Sequence, residues 1–298
     1  MCLIGYRVVM STVKIAEYWD KLENNAVKCG LCPHYCTINE KKTGKCGVRV
    51  NHNGTLIAES YGCVTSIALD PIEKKPLYMF HPGKKIVSVG SYGCNFHCQF
   101  CQNSGISLEY SKNYIKPEFM TPDLILEVSK MAIPDGNIGI AYTYNEPLIG
   151  YEFIKDCATL IRNEGQANVL VTNGYINEKP LKELLPLIDA LNVDIKAYNK
   201  RTYNMVGGTP DVVKATIETA VKECHVEVTT LVVPGENENE VEDIAKWLSS
   251  IDSNIPYHLS RFFPRYKYSD KVPTPPETMY KLYDIAGKYL KNVFLGNI

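Results

Sequence analysis

Gly93-Cys94-Asn95-Phe96-His97-Cys98-Gln99-Phe100-Cys101 presents three thiols at spacings of four and three residues. A short β-branched run over 86–91 precedes it, so the thiols lie in a loop directly after a strand. Cys94, Cys98 and Cys101 so placed can hold three irons of a [4Fe–4S] cube, whereas an electron-transfer cluster uses four cysteines. The unligated iron is then open to an exogenous ligand, just as a catalytic metal keeps an open position. Gly93 gives the backbone freedom at the loop's entry. The competing reading is a zinc ion completed by His97 or a distant residue. It fits poorly, because zinc ribbons pair two C-x-x-C knuckles and no second knuckle follows.

Outward from this loop, strand and helix patterns alternate to the end of the chain. Strands are expected at 137–143, 168–172, 191–196, 225–233, 257–263 and 293–295. Helices are expected at 121–131, 147–163, 179–187, 209–224, around 241–248 and at 277–290. Thr121-Pro122-Asp123 and Thr209-Pro210-Asp211 each supply a capping hydroxyl followed by Pro in the first turn. Ile149, Phe153, Ile154, Cys157, Leu160 and Ile161 recur at helical spacing and stop at Gly165. Such β-then-α alternation implies a parallel sheet with right-handed crossovers. Six or seven units are too few for a closed eight-fold barrel, so the expected fold is α/β, a partial (β/α)6-type TIM barrel. Polar residues recur at the strand ends: Asn145 and Glu146, Thr172 and Asn173, Asp194 and Lys196, then His258, Ser260 and Arg261. Carboxyl ends of parallel barrel strands carry the chemistry, so these groups should converge on one mouth. Glu227, Thr229 and Thr230 alternate along a strand, which turns two of the three toward the interior.

Residues 1–84 read as a Cys-rich metal-binding extension and 85–298 as the barrel. The extension carries Cys29, Cys32, Cys36 and Cys46, hairpin-like alternation over 56–69, and a link punctuated by Pro71, Pro76 and Pro82. Four thiols with two, three and nine residues between them can close a tetrahedral site or a second Fe–S cluster. The spacing identifies metal binding and leaves zinc or iron–sulfur open; a fully ligated site is structural or electron-relaying. Four reduced thiols in a small core are the bland alternative. His34, inside the cluster, is either a ligand or a hydrogen-bonding histidine. Cys2, Cys63, Cys157 and Cys224 stand alone and read as small buried hydrophobes.

Hydrophobic residues make up 45% of the 298 and charged residues 22%, as in folded globular chains. Thirty-two Lys plus Arg against 33 Asp plus Glu leave a charge of −1, with no overall field for nucleic acid or anionic membrane. The 20 tyrosines scatter instead of alternating with basic residues, so no base-stacking platform is legible. No apolar run approaches the roughly 20 residues of a membrane helix, and no cleavage-site pattern follows the amino terminus. A cytoplasmic protein is expected, with clustered cysteines as metal sites instead of disulfides. Met10 is as good a start as Met1, which would leave Cys2 in a leader. The pairs Lys74-Lys75 and Lys84-Lys85 read as a solvated face.

The C-x-x-x-C-x-x-C loop after the first strand of a partial barrel resembles the radical S-adenosylmethionine (SAM) superfamily. The resemblance implies that the open iron chelates the amino and carboxylate groups of SAM. An electron from the cluster then cleaves the sulfonium to methionine and a 5′-deoxyadenosyl radical, which abstracts hydrogen from the substrate. It puts Phe100 at the aromatic position that contacts the adenine. Asn145-Glu146-Pro147 sits where the family has Gly-Gly-Glu-Pro, whose backbone and Glu meet the SAM amino group; Asn145 replaces a glycine. Thr172-Asn173-Gly174 and Asp194-Ile195-Lys196 are similar to motifs of the pyruvate formate-lyase activating enzymes, where the Lys approaches the SAM carboxylate, a cation facing an anion. Val171 stands where some members have an Asp for a monovalent cation, so that site is not implied. Val232-Val233-Pro234-Gly235 resembles the strand end that packs on the adenine. His258 and Arg261 are candidates for the SAM ribose or carboxylate or for the substrate, with a core role the alternative for His258.

A narrower resemblance covers nearly the whole chain. Cys29-Gly30-Leu31-Cys32-Pro33-His34-Tyr35-Cys36, Gly44-Lys45-Cys46-Gly47-Val48-Arg49, Pro71-Ile72-Glu73-Lys74-Lys75-Pro76-Leu77, Tyr142-Thr143-Tyr144-Asn145-Glu146-Pro147 and His258-Leu259-Ser260-Arg261-Phe262-Phe263-Pro264 are similar to the AmmeMemoRadiSam-system radical SAM enzymes. The implied protein is an activating-enzyme-like radical SAM enzyme. Its cofactors are a [4Fe–4S] cluster and SAM, its partners a low-potential electron donor and an unidentified protein or small-molecule substrate. A non-catalytic metal-bound scaffold or nucleic-acid module is the reading from another class. The balanced charge and the open coordination position weigh against it.

Overall fold

β-branched residues at 86, 87 and 89 make Lys85–Gly90 a strand buried from Ile86 to its end, the pattern of a strand covered on both faces. In this computed structural model, which describes residues 13–110 and 116–298, that strand lies one in from the edge of an eight-stranded sheet. Met1, Cys2 and Met10 lie outside the described residues. The strands follow chain order: β1 (Ser66–Pro71), β2 (Lys85–Gly90), β3 (Asn137–Tyr142), β4 (Ala167–Thr172), β5 (Ala190–Asp194), β6 (His225–Val232), β7 (Tyr257–Arg261) and β8 (Val293–Gly296). From β2 to β8 every neighbouring pair is parallel. β1 alone runs antiparallel, against β2. The ends of this order, β1 and β8, do not pair, so the barrel is partial, as the alternation predicted.

The crossover helices pack outside. Thr121 caps Pro122–Met131 by accepting from the Leu124 amide at 3.3 Å, as its sequence suggested, whereas Thr209 makes no such bond before Pro210–Ala220. The segment after Glu146 opens as a 3₁₀ turn, Pro147–Gly150, before the α-helix Tyr151–Asn163. The helix Lys200–Val206 has no counterpart in the periodic reading. Its start is set by Asn199, which accepts from the Arg201 amide at 2.8 Å.

Residues 19–58 build a three-stranded antiparallel sheet from Trp19–Lys21, Val27–Cys29 and Thr37–Ile38, followed by a hairpin of Arg49–His52 with Thr55–Ala58. Asn53 and Gly54, both at positive φ, make the two-residue turn. The alternation over 56–69 therefore covers three different strands: the second half of this hairpin, the short Cys63–Val64, which pairs with Glu118–Phe119, and β1. Val27, Ile38 and Leu56 share one hydrophobic cluster with Phe153, Ile154 and the barrel interior. Across this contact Arg49, 1% exposed, makes two bonds to the Glu152 carboxylate, at 2.8 and 2.9 Å, and a third to the Glu17 carbonyl at 3.1 Å.

The chain between β1 and β2 lies at the amino ends of the parallel strands and fills the barrel from below. Ile72 and Leu77 cluster with Ile86, Ala141, Val169 and Ala190. The Tyr78 and Met79 amides donate to the Glu227 carboxylate at 3.0 and 2.8 Å, and Asn192 donates to the Pro76 carbonyl at 2.8 Å. Lys75, expected on a solvated face, is buried here and donates to Asp70 at 2.9 Å; Lys74, Lys84 and Lys85 are exposed. Among the described residues no helix is long and apolar enough to cross a membrane.

Candidate active site

At the opposite end, one cavity gathers the three loop thiols with the ends of β3, β4 and β5. Cys94, Cys98, Cys101, Phe100, Asn145, Glu146, Thr172, Asn173, Asp194 and Lys196 all line it. The loop is clasped from outside. Phe96 packs on Tyr175, ring centres 5.0 Å apart, and the His97 amide donates to the Val206 carbonyl at 3.0 Å. Gly207 and Gly208 sit directly beneath: a Cβ at Gly208 would come within 2.4 Å of the Phe96 ring, and one at Gly207 within 2.2 Å of His97. Backbone this close leaves room only for hydrogen.

Burial pushes the Cys98 thiol up to about 12, against the pull of Lys196, and raises Cys94 and Cys101 as well. The Asn103 amide and the Ser107 hydroxyl oppose that rise at Cys101. These are thiols that a metal must deprotonate on binding. Three sulfurs about one cavity, Cys98 buried and Cys94 and Cys101 half-buried, with a cation beside them, suit a group of delocalised negative charge.

Glu146 is 4% exposed and burial pushes its carboxyl up to about 7. Bonds from the Thr172 hydroxyl (2.6 Å), the Asn173 amide (2.7 Å) and the Leu148 amide (3.0 Å) oppose that rise. The carboxylate thus ties the end of β3 to the end of β4. Asn145 keeps its α-carbon out of the positive-φ region; Tyr144 before it takes φ 71° instead. The Asn145 side chain accepts from the Ser91 amide at 2.9 Å and donates to the Tyr92 and Gly93 carbonyls at 3.1 and 3.2 Å. Where a glycine would have offered only backbone, this side chain anchors the entry to the cysteine loop. Asn173 donates to Asn95 at 2.8 Å and lies 3.8 Å from the Cys94 sulfur. Lys196 reaches the Asp194 carboxylate at 2.5 Å. Burial would lower its ammonium; Asp194 and the Cys98 and Cys101 sulfurs outweigh that and raise it.

Three predicted residues are not in the cavity. Val233 is buried, its amide donating to Asn237 at 2.8 Å. Arg261 donates to the Thr274 carbonyl at 2.7 Å and lies over the Phe263 ring. His258 is the second residue of β7, so it sits low in the barrel. It bonds Glu227 at 2.6 Å and packs between the Tyr78 and Phe294 rings, a core role. Glu227 and Thr229 face the interior as the alternation required, Glu227 in the floor and Thr229 on the cavity; Thr230 bonds outward to Ile195 and Tyr257. Ser260 lines the cavity, as its strand-end position predicted, and Asn103, Ser107 and Thr143 line it too. Of the last three, unread in the sequence, Asn103 and Ser107 were within its reach, being polar and within six residues of Cys101.

Comparison with known proteins agrees with this geometry. The family model described as the Radical SAM superfamily matches residues 88–248. An uncharacterized protein of Methanocaldococcus jannaschii is 42% identical over 296 residues, 95% of this chain and 85% of its own length. Another protein of that archaeon, named for glycyl-radical enzyme activation, is 29% identical over 219 residues, 70% of this chain and 79% of that protein. Among solved structures, Streptococcus suis SuiB bound to S-adenosylmethionine superposes with a TM-score of 0.51 at 10% identity, covering 70% of this chain and 46% of that one. The chain belongs to the radical SAM superfamily, whose enzymes work with a [4Fe–4S] cluster and SAM.

Proposed function

We propose that Cys94, Cys98 and Cys101 hold the [4Fe–4S] cluster and that SAM binds beside it in the cavity at the barrel mouth. The observation that carries this reading is the meeting, in one cavity, of three thiols, one buried and two half-buried, with one strand-end carboxylate, Glu146, and one strand-end cation, Lys196. When bound, the cluster supplies the electron that splits the SAM sulfonium to methionine and a 5′-deoxyadenosyl radical able to abstract hydrogen from a substrate. The residues of the chain supply binding and orientation. Lys196 offers its ammonium to the carboxylate of an amino acid moiety, and Glu146 offers a carboxylate to its ammonium. Phe100, 3% exposed and on the cavity wall, gives an apolar face to an aromatic base. Thr229 and Ser260, neutral and polar, line the same cavity and are offered to a substrate.

The finer reading is an activating-enzyme-like protein that takes hydrogen from a protein or small molecule, supported by the Thr172-Asn173-Gly174 and Asp194-Ile195-Lys196 likeness. The test is anaerobic: reconstituted protein, dithionite and SAM, with 5′-deoxyadenosine followed by chromatography. Cys98→Ala should abolish its formation. Formation at the wild-type rate in that variant would overturn the reading. Deuterium carried into 5′-deoxyadenosine from labelled candidates then identifies the substrate.

A further inference from the structure

The remaining cysteine cluster is built against the back of this site. Cys29, Cys32, Cys36 and Cys46 line one small cavity together with His34 and Arg49. Among the described residues no three Cys, His, Asp or Glu are grouped tightly enough for one metal ion, in either cysteine set. A cube does not ask its thiolates to meet on one ion, since each takes a different iron.

Arg49 supplies an independent observation. Its Nη1 and Nη2 are spent on Glu17 and Glu152, yet Nε, fully buried, has no partner in the protein. Glu152 neutralises the guanidinium, and the buried N–H left over calls for an acceptor. Cluster sulfur is such an acceptor, and Arg49 is coupled electrostatically to both Cys29 and Cys46.

The two cysteine sets also touch. A Cβ on Gly93, the residue before Cys94, would lie 2.6 Å from the Cys46 carbonyl oxygen and 2.7 Å from Val48. His34 bonds the Asn95 carbonyl at 2.8 Å, and Asn95 in turn holds Asn173 and the Tyr175 carbonyl.

We propose that Cys29, Cys32, Cys36 and Cys46 hold a second, fully thiolate-ligated [4Fe–4S] cluster that relays electrons to the cluster at Cys94, Cys98 and Cys101. The relay half of this inference rests on the function proposed above. One electron from a low-potential one-electron donor reduces the second cluster, which is reoxidised as the first is reduced; no bond or proton is exchanged. With all its irons ligated, the second cluster leaves no position for SAM.

Full-length protein reconstituted anaerobically with iron and sulfide should carry about eight irons, and a Cys94→Ala/Cys98→Ala/Cys101→Ala variant about four with equal sulfide. That variant should keep a broad visible absorbance that dithionite bleaches and SAM does not alter. A variant that retains zinc, or no sulfide, overturns the proposal. Should the triple variant fail to fold, the wild type decides: about eight irons without zinc supports it, and about four irons, with or without zinc, overturns it. For the relay, Cys29→Ser/Cys32→Ser with the first cluster intact should slow reduction of that cluster by dithionite at least tenfold. An unchanged rate refutes the relay. Failure of the first-site reading would show differently, as SAM left uncleaved by protein with its full iron load.

Discussion

Glu152→Gln removes one charge from the pair that joins the amino-terminal unit to the barrel. In the wild type the Arg49 and Glu152 side chains are 2% and 0% exposed, and the carboxylate takes two guanidinium bonds plus the Glu17 amide at 2.6 Å. Glutamine keeps the shape but turns an amide N–H₂ toward a buried cation. Breaking a buried pair from one side costs about 3–5 kcal/mol, because the survivor is left uncompensated. At roughly 2 °C per kcal/mol for a chain of this size, the melting temperature should fall by about 6–10 °C. The double variant Arg49→Met/Glu152→Leu removes both charges and should recover most of that loss, since apolar replacements of similar volume are often neutral. Thermal unfolding followed by far-UV circular dichroism measures all three proteins. A loss below about 1 kcal/mol in Glu152→Gln, the size seen for solvated pairs, would refute the reasoning.

Lys196→Met should weaken SAM binding roughly ten- to a hundredfold, from a charge-assisted contact of about 1.5–3 kcal/mol, with the cluster absorbance unchanged; titration of SAM into the reduced variant checks it, and wild-type affinity would mean the lysine serves only Asp194. Gly93→Ala, at φ 85° and against Cys46, should lower the yield of folded, iron-loaded protein, measured by iron content per mole. Acid stability should depend on Glu227. Burial alone would raise its carboxyl, but bonds from His225, His258 and the Met79 and Tyr78 amides lower it to about 2. A depressed carboxyl stabilises above its unfolded value of 4.5 and loses that contribution as pH falls toward 2, here about 3 kcal/mol in all. Glu227→Gln should therefore be less stable at neutral pH and show a flatter acid limb in urea titrations between pH 5 and about 2; an unchanged limb would contradict the assignment.

Residues whose role is set by their own strand were legible in the sequence. The period of two placed Glu227 and Thr229 inside, and strand-end position brought Asn145, Glu146, Thr172, Asn173, Asp194 and Lys196 to one cavity. Roles fixed by partners distant in the chain were not. His258 was read as a strand-end residue, but its depth follows from where β7 begins and from Glu227, 31 residues earlier. Lys75 looked solvated until Asp70 and the Tyr144 ring enclosed it. The clasp of Gly207-Gly208 on Phe96 depends on a helix with no apolar stripe to announce it. The reversed direction of β1 left no trace in its composition, since pairing direction is decided by the connection and not by the strand.

Among the described residues Ile72, Leu77 and Tyr78 pack into the amino end of the barrel as a stopper, which leaves the cavity at the other end as the way in. Whatever binds deepest must arrive first, and whatever binds above it seals it in. On the proposed reading, SAM and substrate would add in a compulsory order and the products would leave in reverse. Steady-state inhibition by 5′-deoxyadenosine would then be competitive toward SAM and noncompetitive toward the substrate. A radical formed there would face the stopper on one side and the incoming substrate on the other.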